Sequence, residues 1–243
     1  MEIKSDINDK NVIDNMLNLF YECPIYDQYE LLNNLGLFIK RQQMSRIMVM
    51  WELYKQIINV HGSIIEFGVR WGQDLVLFEL FRGMLEPYNY NRKIIGFDTF
   101  SGFPSISEYD GDSFVGDMSV TFGYEKYLNK LLQIHENNSP ISQIKKYELV
   151  KSDATQTFKE YLNKHPELII AFVYFDFDIY EPTKVCLELC KERLVKGSII
   201  AFDELNHSDW PGETQAFREV FDLNKIKLQR FSFSPTISYF VME

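Results

Sequence analysis

Cysteine is scarce in this chain, three residues in 243, too few for the disulfide framework that staples a small secreted domain. Cys186 and Cys190 stand four apart, without the nearby Cys or His partners that a structural zinc requires, and read as two buried thiols on a helix. Long apolar runs are also missing. The longest, Leu168 to Phe175, is far too short to cross a bilayer as a helix, which takes about 20 residues, and reads as a buried strand. The opening stretch MEIKSDINDKNVIDNM carries charges where a secretory signal has its apolar region, so a cytoplasmic protein with no membrane association is expected. Positive charge is in deficit. With 25 Lys and Arg against 35 Asp and Glu the net charge is −10, which excludes duplex nucleic acid and anionic membrane surfaces as natural partners. There is no internal repeat, no low-complexity tract and no G-x-G-x-x-G.

What is present is a folded composition, 46% hydrophobic and 15% aromatic, in a length that suits one α/β domain and a small addition. Residues 1–60 read as a helical extension, broken at Cys23-Pro24 and continuing as one helical pattern from Leu37 to Val60. Its apolar side chains exceed what a solvated appendage needs, so it is expected to cap the active site or to join copies of the chain into a dimer or larger homo-oligomer. From residue 61 onward short apolar runs alternate with helical stretches: SIIEFG, KIIGFD, IKKYELVKSD, LIIAFVYFDFD and GSIIAFDE each end in polar residues. That alternation predicts crossover units, a mostly parallel sheet and helices on both faces. Two closing runs, KIKLQRFSF and TISYFVME, have no helix between them and predict a hairpin with one antiparallel strand.

In such sheets a ligand sits beyond the carboxyl ends of the strands, near the point where strand order reverses. The first run ends in Glu66-Phe67-Gly68 and continues through Val69, Arg70 and Gly72. The two glycines permit a tight turn and close backbone approach, and Glu66 suits a ligand with a positive centre better than a pyrophosphate. The second run ends in Asp98, which can accept both hydroxyls of an adenosine ribose. The third ends in Ser152-Asp153, placed for an adenine amino group. Singly, each is ordinary where a strand meets solvent.

The fourth and fifth ends are more informative. Asp176 and Asp178 follow one strand, and Asp203-Glu204 follow its neighbour. Converging carboxylates repel one another unless a cation sits between them, and oxygen-only ligation suits Mg²⁺ or Mn²⁺ and disfavours zinc. The bland alternative is that Asp178 and Glu204 face water or cap the next helix. The stretch 101–117, rich in Ser, Gly and Asp, reads as a lid over the cofactor edge, with Asp110, Asp112 and Asp117 solvated.

Together the segments IIEFGVRWGQD (64–74), IIGFDTFSGFP (94–104), FDFDIYEPT (175–183) and KGSIIAFDE (196–204) resemble the macrocin O-methyltransferase (TylF-type) family of S-adenosylmethionine-dependent sugar O-methyltransferases, over roughly residues 36–223. The family shows Asp-Gly-Asp-x-Tyr-Glu-Ser-Thr and then a strand ending in an Asp-Asp pair. Here Phe177 replaces the glycine and Glu204 the second aspartate.

The resemblance implies a Rossmann-like class I methyltransferase fold with a seven-stranded sheet in residues 61–243. It implies S-adenosylmethionine as cofactor, with contacts at Glu66, Gly68, Val69, Arg70, Gly72, Asp98, Thr99, Ser101, Asp153 and Asp176. Asp176, Asp203 and Glu204 become the implied magnesium ligands, and the acceptor a hydroxyl of a natural-product glycoside or nucleotide-activated sugar. A sugar hydroxyl is a poor nucleophile at neutral pH, so a base should help the metal. His207, three residues after Glu204, is the first candidate and Asp178 the second. Two other readings stand beside this one. An NAD-dependent oxidoreductase is disfavoured by the missing glycine signature and the clustered acids, and an inactive methyltransferase-like interaction module by the complete acid trio.

Overall fold

The computed structural model describes residues 7–243; residues 1–6 of the N-terminal extension lie outside the described residues. The described chain divides into two compact units, one up to Arg46 and one from Ile47 to Glu243. The first holds α1 (Ile7–Tyr21), α2 (Gln28–Asn33) and a 3₁₀ turn at Leu35–Phe38. Cys23-Pro24 falls in the break between α1 and α2, and Asp27 starts α2 by accepting the amides of Tyr29 and Glu30 at 2.8 and 3.1 Å.

The single helix expected from Leu37 to Val60 is shorter. The helix α3 spans Arg41–Gln56, and a buried cation ties down the segment that follows it. The Arg92 guanidinium donates to the carbonyls of Ile57, Val60 and Gly62 at 2.8–3.0 Å while pairing with Glu86. These bonds fix the turn between the helix and the first strand.

The larger unit holds a seven-stranded sheet in the order β3-β2-β1-β4-β5-β7-β6. Its strands are β1 (Ser63–Phe67), β2 (Ile94–Asp98), β3 (Tyr147–Lys151), β4 (Ile170–Phe175), β5 (Leu194–Phe202), β6 (Gln229–Arg230) and β7 (Ser238–Val241). β1 to β5 pair in parallel, and β7 runs antiparallel to both β5 and β6. This is the Rossmann-like methyltransferase arrangement foreseen, with order reversing between β1 and β4. The crossovers carry α4 (Gln73–Leu85), α5 (Tyr124–Asn137), α6 (Ala154–Lys164), α7 (Tyr180–Lys191) and α8 (Gly212–Val220). The helix α5 is an addition to the sequence reading, which placed no helix between the second and third strands.

Period-two alternation divides the core in two. Ile64, Ile94, Phe172, Tyr174 and Ile199 face α3, α4 and α5. Ile65, Phe67, Ile95, Phe97, Val173, Phe175 and Phe202 face α6, α7 and α8. Both α7 thiols are buried and free, as expected. Among the described residues, no helix is long and apolar enough to cross a membrane.

Candidate active site

Backbone hydrogen bonds continue past the strands and line the loop residues up along one edge. Ser152 N–H bonds Asp98 O, Gly68 N–H bonds Phe97 O, Asp176 N–H bonds Phe67 O and Asp203 N–H bonds Phe175 O, all at 2.8–3.0 Å. Gly68, Asp98, Asp176 and Asp203 therefore stand side by side across the switch point. Strain gathers there too. Arg70, Phe100, Asp178 and Asn206, in the loops after β1, β2, β4 and β5, all take positive φ (48–65°), a conformation that costs side-chain-bearing residues about 1–3 kcal/mol and that clusters at functional sites. Gly68 is a glycine for a steric reason. At its φ of +87°, a Cβ would lie 1.8 Å from the Asp176 carbonyl oxygen.

On the β1–β2 side Asp98 is a clamp. Its Oδ2 accepts the Arg70 amide at 2.7 Å and its Oδ1 the Phe100 amide at 2.5 Å. Burial raises its pKa, against the pull of these amides and of the Arg70 charge. Thr99 Oγ1 donates to Gly102 O at 2.7 Å and accepts the Ser101 amide at 3.1 Å, so it shapes the turn that exposes Ser101. Glu66 (2% exposed) and Val69 are buried in the first strand and its loop, and Gly72 leads into α4. Asp153 has a structural task as N-cap of α6, accepting Thr155 N–H at 2.9 Å and Thr155 Oγ1–H at 2.6 Å.

On the β4–β5 side Asp178 feels the charges of Glu204 and Asp203. The Asp178 carboxyl is raised well above the usual range, first by burial and then by Glu204 and Asp203, with Arg70 opposing. Asp203 and Glu204 are buried, and Asp203 accepts the hydroxyl of buried Tyr174 at 2.9 Å. Phe177, where the family has glycine, packs its ring 5.2 Å from Phe67 against the core. Among the described residues, no three His, Cys, Asp or Glu side chains already stand as a metal-holding group. His207 is half-buried, and its Nδ1 accepts the Asp209 amide at 3.3 Å. In the neutral ring the proton is then on Nε2, which donates.

Three features escaped the sequence reading. The Tyr174 hydroxyl was absorbed into an apolar strand. Glu213, fully buried on α8, joins the cluster, and Asp178, Asp176 and Asp203 add to burial in raising its pKa. Asp110, expected to be solvated, is 1% exposed. It accepts Ser107 N–H, Ser107 Oγ–H and Tyr180 N–H at 2.6, 2.9 and 2.7 Å, which ties the 101–117 loop to the first turn of α7. A carboxylate with three good donors can be withdrawn from water, and loop composition alone does not reveal them.

The macrocin O-methyltransferase family (TylF) matches residues 38–231. A crystal structure of CalS11, a calicheamicin methyltransferase, is 39% identical, with a TM-score of 0.95 over 98% of this chain and 94% of that one. An apo structure of CalS11, described as a TDP-rhamnose 3′-O-methyltransferase in calicheamicin biosynthesis, is 38% identical, with a TM-score of 0.88 over 98% and 96%. The O-methyltransferase NovP shares the fold at 19% identity, TM-score 0.58, over 82% of this chain and 79% of its own. No curated protein matches significantly. With four-fifths of its length matched and the strand-end acids in place, the chain belongs to the macrocin O-methyltransferase family and is an O-methyltransferase.

Proposed function

We propose that this enzyme transfers the methyl group of S-adenosylmethionine to a hydroxyl of a nucleotide-activated sugar, with a divalent cation, magnesium or manganese, at the β4–β5 edge. The observation that carries the reading is the adjacency of two chemistries along one sheet edge, the Asp98 clamp and the carboxylate cluster. The full-length likeness to a TDP-rhamnose 3′-O-methyltransferase supports an activated sugar over a finished glycoside.

The cofactor is assigned to the β1–β2 side. Asp98 keeps acceptor capacity for a ribose hydroxyl, and Glu66 places negative charge near the sulfonium. The remaining contacts are assigned to Gly68, Val69, Arg70, Gly72, Thr99, Ser101, Asp153 and Asp176. The donor set Asp176, Asp203 and Glu204 fits a hard cation in its chemistry, since every donor is an oxygen and all three follow adjacent strand ends. When bound, such a cation supplies Lewis acidity that makes a hydroxyl easier to deprotonate.

Asp178 is the better base of the two candidates, because it lies within the cluster while the acceptor nitrogen of His207 is engaged by Asp209. The acceptor oxygen forms a bond to the methyl carbon, the S–CH₃ pair stays on sulfur to give S-adenosylhomocysteine, and the hydroxyl proton passes to Asp178. Holding the two reactants in line can contribute up to about 7–11 kcal/mol.

Exposed Tyr26, in the break between α1 and α2, and Tyr29 and Leu32 on α2 support a role for residues 1–60 in joining copies of the chain, which light scattering checks. The decisive experiment is a panel of nucleotide-sugars with radiolabelled S-adenosylmethionine, with and without EDTA. Transfer to one of them, lost in EDTA and restored by Mg²⁺ or Mn²⁺, is the expected result. Full transfer in EDTA removes the metal, and no transfer to any nucleotide-sugar removes the acceptor class.

A further inference from the structure

The two loops that carry the acids come from different strands, and strand pairing does not by itself set the distance between their side chains. One carboxylate joins them. Glu213 Oε1 accepts the Phe177 amide at 3.2 Å and Glu213 Oε2 accepts the Glu204 amide at 3.3 Å. The first amide lies between Asp176 and Asp178, and the second belongs to Glu204 itself. A single side chain thus bonds the backbone beside every acid of the cluster.

The helix that presents Glu213 is seated just as firmly. Gly212 precedes it, and a Cβ there would come within 2.5 Å of Asp110 Oδ1 and 2.7 Å of the Tyr180 nitrogen. The start of α8 therefore rests against the Asp110–Tyr180 bond that begins α7. Glu213 is fully buried, so solvent cannot substitute for it. An isolated buried carboxylate among other acids is a costly arrangement, and its two backbone bonds give it a geometric task.

We propose that Glu213 is a positioning residue, which sets the separation of the Asp176–Asp178 loop from the Asp203–Glu204 loop by bridging the Phe177 and Glu204 amides. The inference rests on the reading of these acids as the reacting edge. Both bonds need acceptor oxygens, and a carboxyl group supplies two of them, whichever carries a proton. Glutamine has nearly the same shape but offers one oxygen, and turns its NH₂ toward the other amide. The loop it loses is free to drift, and near-attack geometry is sensitive to shifts of about 1 Å.

Glu213→Gln is tested against wild type in three assays: S-adenosylhomocysteine affinity by calorimetry, Mn²⁺ binding by EPR, and turnover per cofactor-binding site. The expected result is unchanged cofactor affinity within about twofold, Mn²⁺ binding weakened at least about tenfold, and kcat lowered at least about tenfold. Glu213→Asp keeps both acceptor oxygens and should recover part of the loss. Wild-type turnover per cofactor-binding site in Glu213→Gln overturns the proposal, including the case where the variant is partly unfolded and only its number of sites falls. Equal losses in the Gln and Asp variants overturn the two-acceptor bridge. A wild type that binds Mn²⁺, with that binding weakened in Glu213→Gln, but that methylates no nucleotide-sugar, supports the bridge and overturns the acceptor. A wild type that neither binds Mn²⁺ nor transfers methyl overturns both.

Discussion

The carboxylate of Asp98, at the end of β2, accepts the amide of Arg70 from the loop leaving β1 at 2.7 Å. One acid therefore ties together two loops assigned to the cofactor, and the Arg70 cation lies within electrostatic reach of both Asp98 and Asp178. Replacement by alanine removes an acceptor from two backbone amides as well as from the ribose. Asp98→Ala should weaken S-adenosylhomocysteine binding by about 1–3 kcal/mol, or roughly fivefold to 150-fold, in calorimetry. An affinity equal to wild type would leave Asp98 as a structural clamp only.

Asp110 anchors the loop over the same edge. In Asp110→Ala the Tyr180 amide, the first of α7, loses its acceptor, at a cost of about 1–3 kcal/mol for a buried unpaired donor. The loop 101–117 should then be cut faster in limited proteolysis while the rest of the sheet unit stays resistant. Identical cleavage rates in variant and wild type would show that the loop holds without this latch.

The fold was legible because buried parallel strands write themselves as apolar runs with polar ends, and here every such run became a strand. The edge was legible for the same reason, since Glu66, Asp98, Asp176 and Asp203 each close or follow a run. Roles were harder to read than positions. An acid at a strand end can serve a ligand or cap the next helix, and Asp153 caps α6. Glu213 gave no signal, because an acid in the first turn of a helix is ordinary on helix-dipole grounds. Asp110 was hidden by its loop, whose polar composition is the same whether or not its carboxylate is buried. The signal for α5 was present in YLNKLLQI, apolar at helical spacing, but the long polar stretch before it masked the boundary.

Stability should carry a pH signature from the other face of the sheet. Glu79 on α4 is 2% exposed, and neither carboxylate oxygen finds a hydrogen-bond partner among the described residues. Arg82, Lys146 and Lys145 oppose the effect of burial and Glu136 adds to it, and the net pKa rises from 4.5 to about 8. The native state holds this proton to higher pH than the unfolded chain. Its contribution is therefore full below about pH 4.5 and is lost as pH climbs toward about 8, on the order of a few kcal/mol. Glu79→Gln is neutral throughout and should melt at least about 4 °C above wild type at pH 8.5, while the two converge near pH 5. Parallel melting curves at both pH values would show that Glu79 is ionised in the native protein.

The identity of the base separates the two remaining candidates. Asp178 belongs to the acid cluster and sits at a positive φ of 63°, a left-handed conformation that aspartate tolerates better than most residues. His207 lies outside it by bonding. Its amide donates to Glu204 O at 3.2 Å and its Nδ1 accepts from Asp209, which in the neutral ring leaves Nε2 carrying the proton. A general base contributes about 10²–10⁴-fold to the rate. Asp178→Asn, which keeps the shape and removes the proton acceptor, should therefore lower kcat at least about a hundredfold with cofactor affinity intact. His207→Gln, which retains a donor at the ring's far end, should stay within about tenfold of wild type. The opposite order, a severe loss at His207 with Asp178→Asn nearly as active as wild type, would return the base to the histidine. It would also mean that the Asp209 bond gives way when the acceptor sugar binds, because Nδ1 must carry the proton before Nε2 can take one.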